Sequence, residues 1–103
     1  MAPPRPFRRV YRDFRCFEFD PAKSEEVFEA RGFDLAFVAR IFPGYVLERE
    51  DTRQYREARY QVLGELHGTV YVVIYTRRGN ACRLITAWVA DADEVAIWNV
   101  YHE

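Results

Sequence analysis

Arg59, Arg78 and Arg83, with Glu57 beside them, have the residue types needed to hold a phosphodiester. Planar guanidinium forks bind phosphate oxygens in pairs and stabilise the charge that develops as the ester is cleaved. The competing reading of the same residues is a salt-bridged sheet rim in which Glu57 neutralises Arg78. Other chemistries find little support. His67 falls in a turn and His102 next to the C-terminus, poor places for an acid–base pair. No Cys/His/carboxylate set has metal-ligand spacing. Nothing resembles a phosphate-binding glycine loop or a Ser-His-Asp set, and no cofactor is expected.

These residues meet only if the strands around them pair in one register. Arg56 to Leu66 and Thr69 to Arg77 read as strands, with His67-Gly68 as the hairpin turn between them. A second turn, Arg77 to Asn80, leads into a strand from Ala81 to Val89. If both turns are two-residue loops, Arg59 lies opposite Thr76, Thr76 opposite Arg83, and Glu57 opposite Arg78. Side chains alternate along strands. One face therefore carries Glu57, Arg59, Thr76, Arg78 and Arg83, continuing as Leu63, Val70, Val72, Ile74, Ile85, Ala87 and Val89 packed on helices. The other face carries Tyr60, Val62, Tyr71, Val73, Tyr75, Leu84 and Trp88, as a second packed layer or an aromatic binding surface.

The remaining elements frame this sheet. Met1 to Pro6 holds three prolines and is expected to be extended or flexible. Arg15 to Phe19 reads as a first strand. Asp20-Pro21 starts a helix that ends at Gly32. Asp34 caps a second helix, whose Leu35, Val38, Ala39 and Phe42 share one face, broadened by Phe37 and Ile41. Pro43-Gly44 ends it, and Tyr45 to Glu50 reads as a short strand. Asp91 and Glu94 have the spacing of a capping box, opening a final helix with Val95, Trp98 and Tyr101 as packing positions. The expectation is one α+β domain over 1–103, an antiparallel sheet with two N-terminal helices and one C-terminal helix. Residues 1–14 form a basic, proline-rich extension.

Half of the residues are hydrophobic, enough for a core, and no run is long enough to span a membrane. Cys16 and Cys82 are too few for a disulfide framework and read as buried thiols in a reducing compartment. Charge is segregated. Residues 1–15 carry five arginines against one aspartate, and residues 52–83 six arginines against two glutamates. Residues 16–51 and 84–103 are net acidic. Such a basic sheet end suits an anion, while a pI of 6.1 speaks against general nucleic-acid binding.

Several segments resemble the BrnT toxins of bacterial type II toxin–antitoxin systems. They are Phe19-Asp-Pro-Ala-Lys23, the helix ending in Gly32, the apolar run to Phe42, Glu50 to Arg59, Val73 to Gly79, and Arg83 to Ala87. Together they lie between about Phe17 and Glu94. The resemblance implies a RelE-like fold, ribosome-related messenger RNA cleavage without a metal, and cytoplasmic action. It also implies inhibition by a BrnA-type antitoxin, through which alone the protein would contact DNA. Asp51, Arg53, Tyr55, Glu57, Arg59, Arg78, Arg83 and Glu94 sit at the family's recurring polar positions. Of these, Arg59, Arg83, Glu57 and Glu94 are the expected catalytic groups, with Glu57 or Glu94 as base. Arg53, Tyr55 and Arg78 are the expected substrate contacts. The chain departs from the family at Ala30-Arg31-Gly32, commonly Lys-His-Gly, and at Thr86-Ala87-Trp88, commonly Ser-Ala-Arg. Its final helix is acidic where the family's is basic. A catalytically weakened protein-binding module is therefore the alternative, with Trp88, Trp98 and Tyr101 as anchors.

Overall fold

The computed structural model describes residues 5–53 and 56–102. Its helix ends follow from local chemistry. The Asp20 carboxylate accepts the Ala22 N–H at 2.9 Å, Pro21 opens helix α1 (Pro21–Arg31), and Gly32 closes it at φ 83°. Asp34 accepts the Phe37 N–H at 2.8 Å and starts α2. The long second helix expected from periodicity is in fact a single turn, Leu35–Val38, continued as a 3₁₀ turn over Ala39–Ile41. Its apolar residues are still buried, because Leu35, Val38, Ile41 and Phe42 fill the core as one compact plug. The capping box forms as expected: Asp91 accepts from Glu94 N and Glu94 from Asp91 N, both at 2.8 Å, opening α3 (Ala92–Val100).

Six strands make one sheet: β1 (Arg8–Arg12), β2 (Phe17–Glu18), β3 (Gly44–Asp51), β4 (Arg59–Leu66), β5 (Thr69–Arg78) and β6 (Ala81–Val89). Their order is β1-β3-β4-β5-β6-β2. The sheet is mixed rather than wholly antiparallel, since β2 runs parallel to β6, with Phe17 beside Cys82 and Glu18 beside Arg83. The second departure from expectation is β1. The basic extension is an edge strand, paired antiparallel to β3 from Arg8–Glu48 to Arg12–Gly44.

Both hairpins turn where expected. His67 and Gly68 adopt φ 52° and 85°, the positive values a two-residue hairpin needs. Thr76 pairs with Arg83, as the two-residue loop at Gly79-Asn80 requires. Beyond that point the register slips. Tyr75 pairs with Leu84 but Ile74 with Thr86, so Ile85 is an extra residue on β6. The slip exchanges two expected faces: Ala87 lies opposite Val73, and Trp88 opposite Val72.

Helices cover both faces. On one, α1, α2 and the 3₁₀ turn pack Val27, Leu35, Val38, Ile41 and Phe42 against Val62, Tyr71, Val73, Tyr75 and Leu84. On the other, Trp98 of α3 packs with Phe7, Leu47, Leu63, Val72 and Trp88. The aromatic face is thus a second packed layer, not an open binding surface. Gly64 sits in the first layer where a Cβ would come within 2.8 Å of Ile41 Cβ. Gly64→Ala is expected to lose about 1–3 kcal/mol from overpacking. Ile41→Val in the same chain should recover part of it, as read by urea unfolding.

Within that layer Glu48 is almost fully buried. Its carboxylate accepts two bonds from the Arg12 guanidinium, one of them from Nε at 3.0 Å, and one from the Tyr75 hydroxyl. Burial and the bond to Glu48 raise the Tyr75 hydroxyl well above its ordinary value of 10.0. Of the two thiols expected in the core, Cys82 is buried and Cys16 is exposed, since Cys16 lies just before the edge strand β2. Burial raises the Cys82 thiol from 9.0 to about 12. The folded protein therefore holds the Tyr75 and Cys82 protons more tightly than the unfolded chain does. Stability is expected to be full below pH 9 and to fall above it, first as unfolded Cys82 ionises and from pH 10 as unfolded Tyr75 does. Each adds a slope of about 1.4 kcal/mol per pH unit. Cys82→Ala should remove the onset near pH 9 in urea melts taken from pH 7 to 11. Among the described residues no helix is long and apolar enough to cross a membrane.

Candidate active site

The hairpin register brings the expected arginines to one end of the sheet, away from α3. Thr76 and Arg83 are directly paired. The Thr76 hydroxyl, buried, donates to the Ala58 carbonyl at 2.6 Å, which holds the segment leading into β4 against β5. Arg59 opens β4 opposite Asp51 of β3. Arg78 ends β5 at the Gly79-Asn80 loop, paired with Ala81. Glu57 precedes β4 rather than lying in it, so the expected ladder pair with Arg78 does not form. The two side chains still approach, at 4.0 Å.

The cations here are matched by carboxylates, mostly loosely. Arg83 lies 3.7 Å from Glu18, and the side chains are 26% and 43% exposed. Arg78 and Glu57 are similarly open to solvent. Such pairs are worth at most about 1 kcal/mol, so a phosphate can displace the carboxylate. Arg53 is tighter: its guanidinium and backbone N–H both bind the Asp51 carboxylate, at 2.7 and 3.1 Å. That makes a structured turn at the end of β3, pointing Arg53 into solvent. Tyr55, the remaining expected substrate contact, lies outside the described residues.

Glu94 does not join the group. It is engaged in the α3 cap and follows β6, whose C-terminal end is about 20 Å along the strand from Arg83. Of the two carboxylates expected to be catalytic, Glu57 is the one that the fold puts beside an arginine of the cluster. Three residues of this neighbourhood escaped the sequence reading. Glu18 reaches Arg83 only through the parallel β2–β6 pairing. Arg49 and Gln61 are cross-strand partners on the Arg59 face, joined by a 3.0 Å bond from Arg49 Nε. Period-two alternation from Asp51 and Arg59 would have found that pair. Among the described residues no group of three or more His, Cys, Asp or Glu side chains is placed to hold a metal ion.

The arrangement is a solvent-open sheet end where Arg53, Arg59, Arg78 and Arg83 meet Glu18, Asp51 and Glu57. It can bind a phosphate through two or three guanidiniums and place a base beside it. A family model described as the ribonuclease toxin BrnT of type II toxin–antitoxin systems matches residues 19–94. None of the curated proteins matches the chain. The matched span contains β3 to β6 and all of the arginine cluster, and it leaves β1, β2 and most of α3 outside.

Proposed function

Because the chain belongs to the BrnT family of type II toxin–antitoxin ribonuclease toxins, we propose that it is a cytoplasmic endoribonuclease toxin. It cleaves messenger RNA without a metal and is held inactive by a BrnA-type antitoxin. A RelE-like arrangement of sheet and helices fits this reading. The observation that carries it is the convergence of Arg59, Arg78 and Arg83 with Glu57 at a sheet end that α3 leaves open. Arg59 and Arg83 stabilise the phosphorane-like charge. Arg78 and Arg53 bind flanking phosphates, with Tyr55 as a further substrate contact. Glu57 takes the proton of the 2′-hydroxyl, and of the two carboxylates considered it is better placed than Glu94. The 2′-oxygen then attacks phosphorus as the bond to the 5′-oxygen breaks, which leaves a 2′,3′-cyclic phosphate, and the departing 5′-oxygen takes a proton from water.

The test is expression without the antitoxin. Growth arrest, with RNA cut equally well in the presence of EDTA, is the expected result. A chain that neither arrests growth nor cuts RNA ends the ribonuclease reading. A second reading, the weakened protein-binding module, draws on two observations: Arg53, Arg78 and Arg83 each already face a carboxylate, and Trp88 packs against the α3 layer where the family commonly has arginine. Stable co-purification with the antitoxin, without toxicity or cleavage, favours that second reading.

A further inference from the structure

Positive charge also gathers outside the arginine cluster. Beside the cluster, at the end of the β1/β3 edge, is a groove of about 350 Å³ lined by Arg5, Pro6, Arg8, Glu48, Arg49, Glu50 and Tyr60. Three guanidiniums and two carboxylates meet there, but Glu48 is already engaged by Arg12 and Tyr75. Although Arg8 is its register partner, Glu48 is buried and bonded to Arg12 and Tyr75, and it makes no ion pair with Arg8. Among the described residues neither Arg5 nor Arg8 forms an ion pair, and Arg49 bonds only the neutral Gln61 amide. Glu50 alone opposes three cations.

The groove is fixed in place. Phe7, between Arg5 and Arg8, is buried under the Arg49 guanidinium, 4.2 Å from its ring, and its carbonyl accepts the Tyr101 hydroxyl at 3.0 Å. The groove borders the cluster through Arg49, which shares the Arg59 face, and reaches round the sheet end to Tyr60, whose side chain lies on the opposite face from Arg59. Tyr60 is half-buried, its ring stacked on Tyr75 at 5.2 Å between centroids, which stiffens it as a platform for a base.

The geometry points to an accessory RNA subsite built by the N-terminal strand: Arg5, Arg8 and Arg49 hold the backbone of single-stranded RNA running on from the cleaved phosphate, and a base lies against Tyr60. The subsite rests on the ribonuclease reading, but its Arg5 and Arg8 precede the family match, which begins at residue 19. It makes β1 an addition to substrate binding, not a passive extension.

The test is binding of an uncleavable 2′-O-methyl RNA 15-mer, followed by fluorescence anisotropy between 50 and 300 mM KCl. Wild type is compared with Arg5→Ala/Arg8→Ala and with Arg5→Lys/Arg8→Lys. Both positions are exposed, and thermal melts verify that the fold is kept. The alanine pair is expected to bind about tenfold or more weakly at low salt. Its slope of log affinity against log salt should be shallower by about 1.4, since each phosphate neutralised on a single strand adds about 0.7. The lysine pair should keep most of the slope. Wild-type affinity and slope in the alanine pair, with wild type binding RNA well, overturns the subsite and leaves the ribonuclease intact. Undiminished RNA binding together with failed antitoxin binding assigns the groove to the protein partner and also overturns it. If wild type neither binds nor cuts RNA, both readings fall.

Discussion

Replacing Arg12 with alanine is expected to lower the unfolding free energy by about 3–5 kcal/mol. That is a large part of the roughly 5–15 kcal/mol a domain of this kind has. The reason is Glu48. The residue is 2% exposed, and its charge is compensated by the Arg12 guanidinium and the Tyr75 hydroxyl. Removing the cation leaves a buried anion with one neutral donor. Urea unfolding followed by tryptophan fluorescence measures the loss, since Trp98 is buried beside Trp88 in the second core layer. Replacing the whole set is predicted to behave differently. Arg12→Met with Glu48→Leu and Tyr75→Phe removes every polar group of the set at once and should recover most of the stability. Glu48→Leu alone should not, because the Tyr75 hydroxyl then lacks its partner, at about 1–3 kcal/mol. A loss of under about 1 kcal/mol in Arg12→Ala, the scale of an exposed pair, would mean that water reaches the carboxylate.

The second large effect is on chemistry. Arg59→Ala and Arg83→Ala should each slow RNA cleavage by roughly 10²–10³-fold, the scale for deleting one donor to developing charge. Stability should move little for Arg83→Ala, because its pair with Glu18 is open to solvent and loose at 3.7 Å. Glu57 and Glu94 separate cleanly. Glu57→Gln should abolish most cleavage without unfolding the protein. Glu94→Ala should cost about 1 kcal/mol from the α3 cap and leave cleavage intact. Single-turnover cleavage of one RNA, beside a melt for each variant, reads both. Cleavage by Glu57→Gln at the wild-type rate would remove that residue from the mechanism.

What the sequence disclosed was mostly local. Asp20-Pro21 and Gly32 bound α1, and Asp91 with Glu94 opens α3, because caps satisfy groups within a few residues. The two hairpin loops were legible from His67-Gly68 and Gly79-Asn80, and they brought Thr76 to Arg83. Four features were not. Arg8–Arg12 has only Val10 as an aliphatic residue and shows no apolar alternation, so an edge strand read as a basic extension. The parallel contact of β2 with β6 joins residues 65 positions apart, from Phe17 to Cys82, with nothing local to announce it. The slip at Ile74/Tyr75 leaves the arginine end in register and shifts the rest, which is why Thr76 and Arg83 were placed correctly and Trp88 was not. The Arg12–Glu48–Tyr75 set spans separations of 36 and 27 residues and is visible only in the folded chain.

Strand β1 has one more consequence, for solubility. Without it β3 would present the backbone of Gly44–Asp51 as an open edge, with Val46 and Leu47 in its middle. Such an edge recruits other strands. In the intact chain the outermost strand is Arg8-Arg9-Val10-Tyr11-Arg12, and its charges discourage a second copy from docking alongside. A chain trimmed back to the family boundary at residue 19 is therefore expected to lose more than RNA affinity: it should associate edge to edge and leave solution as its concentration rises.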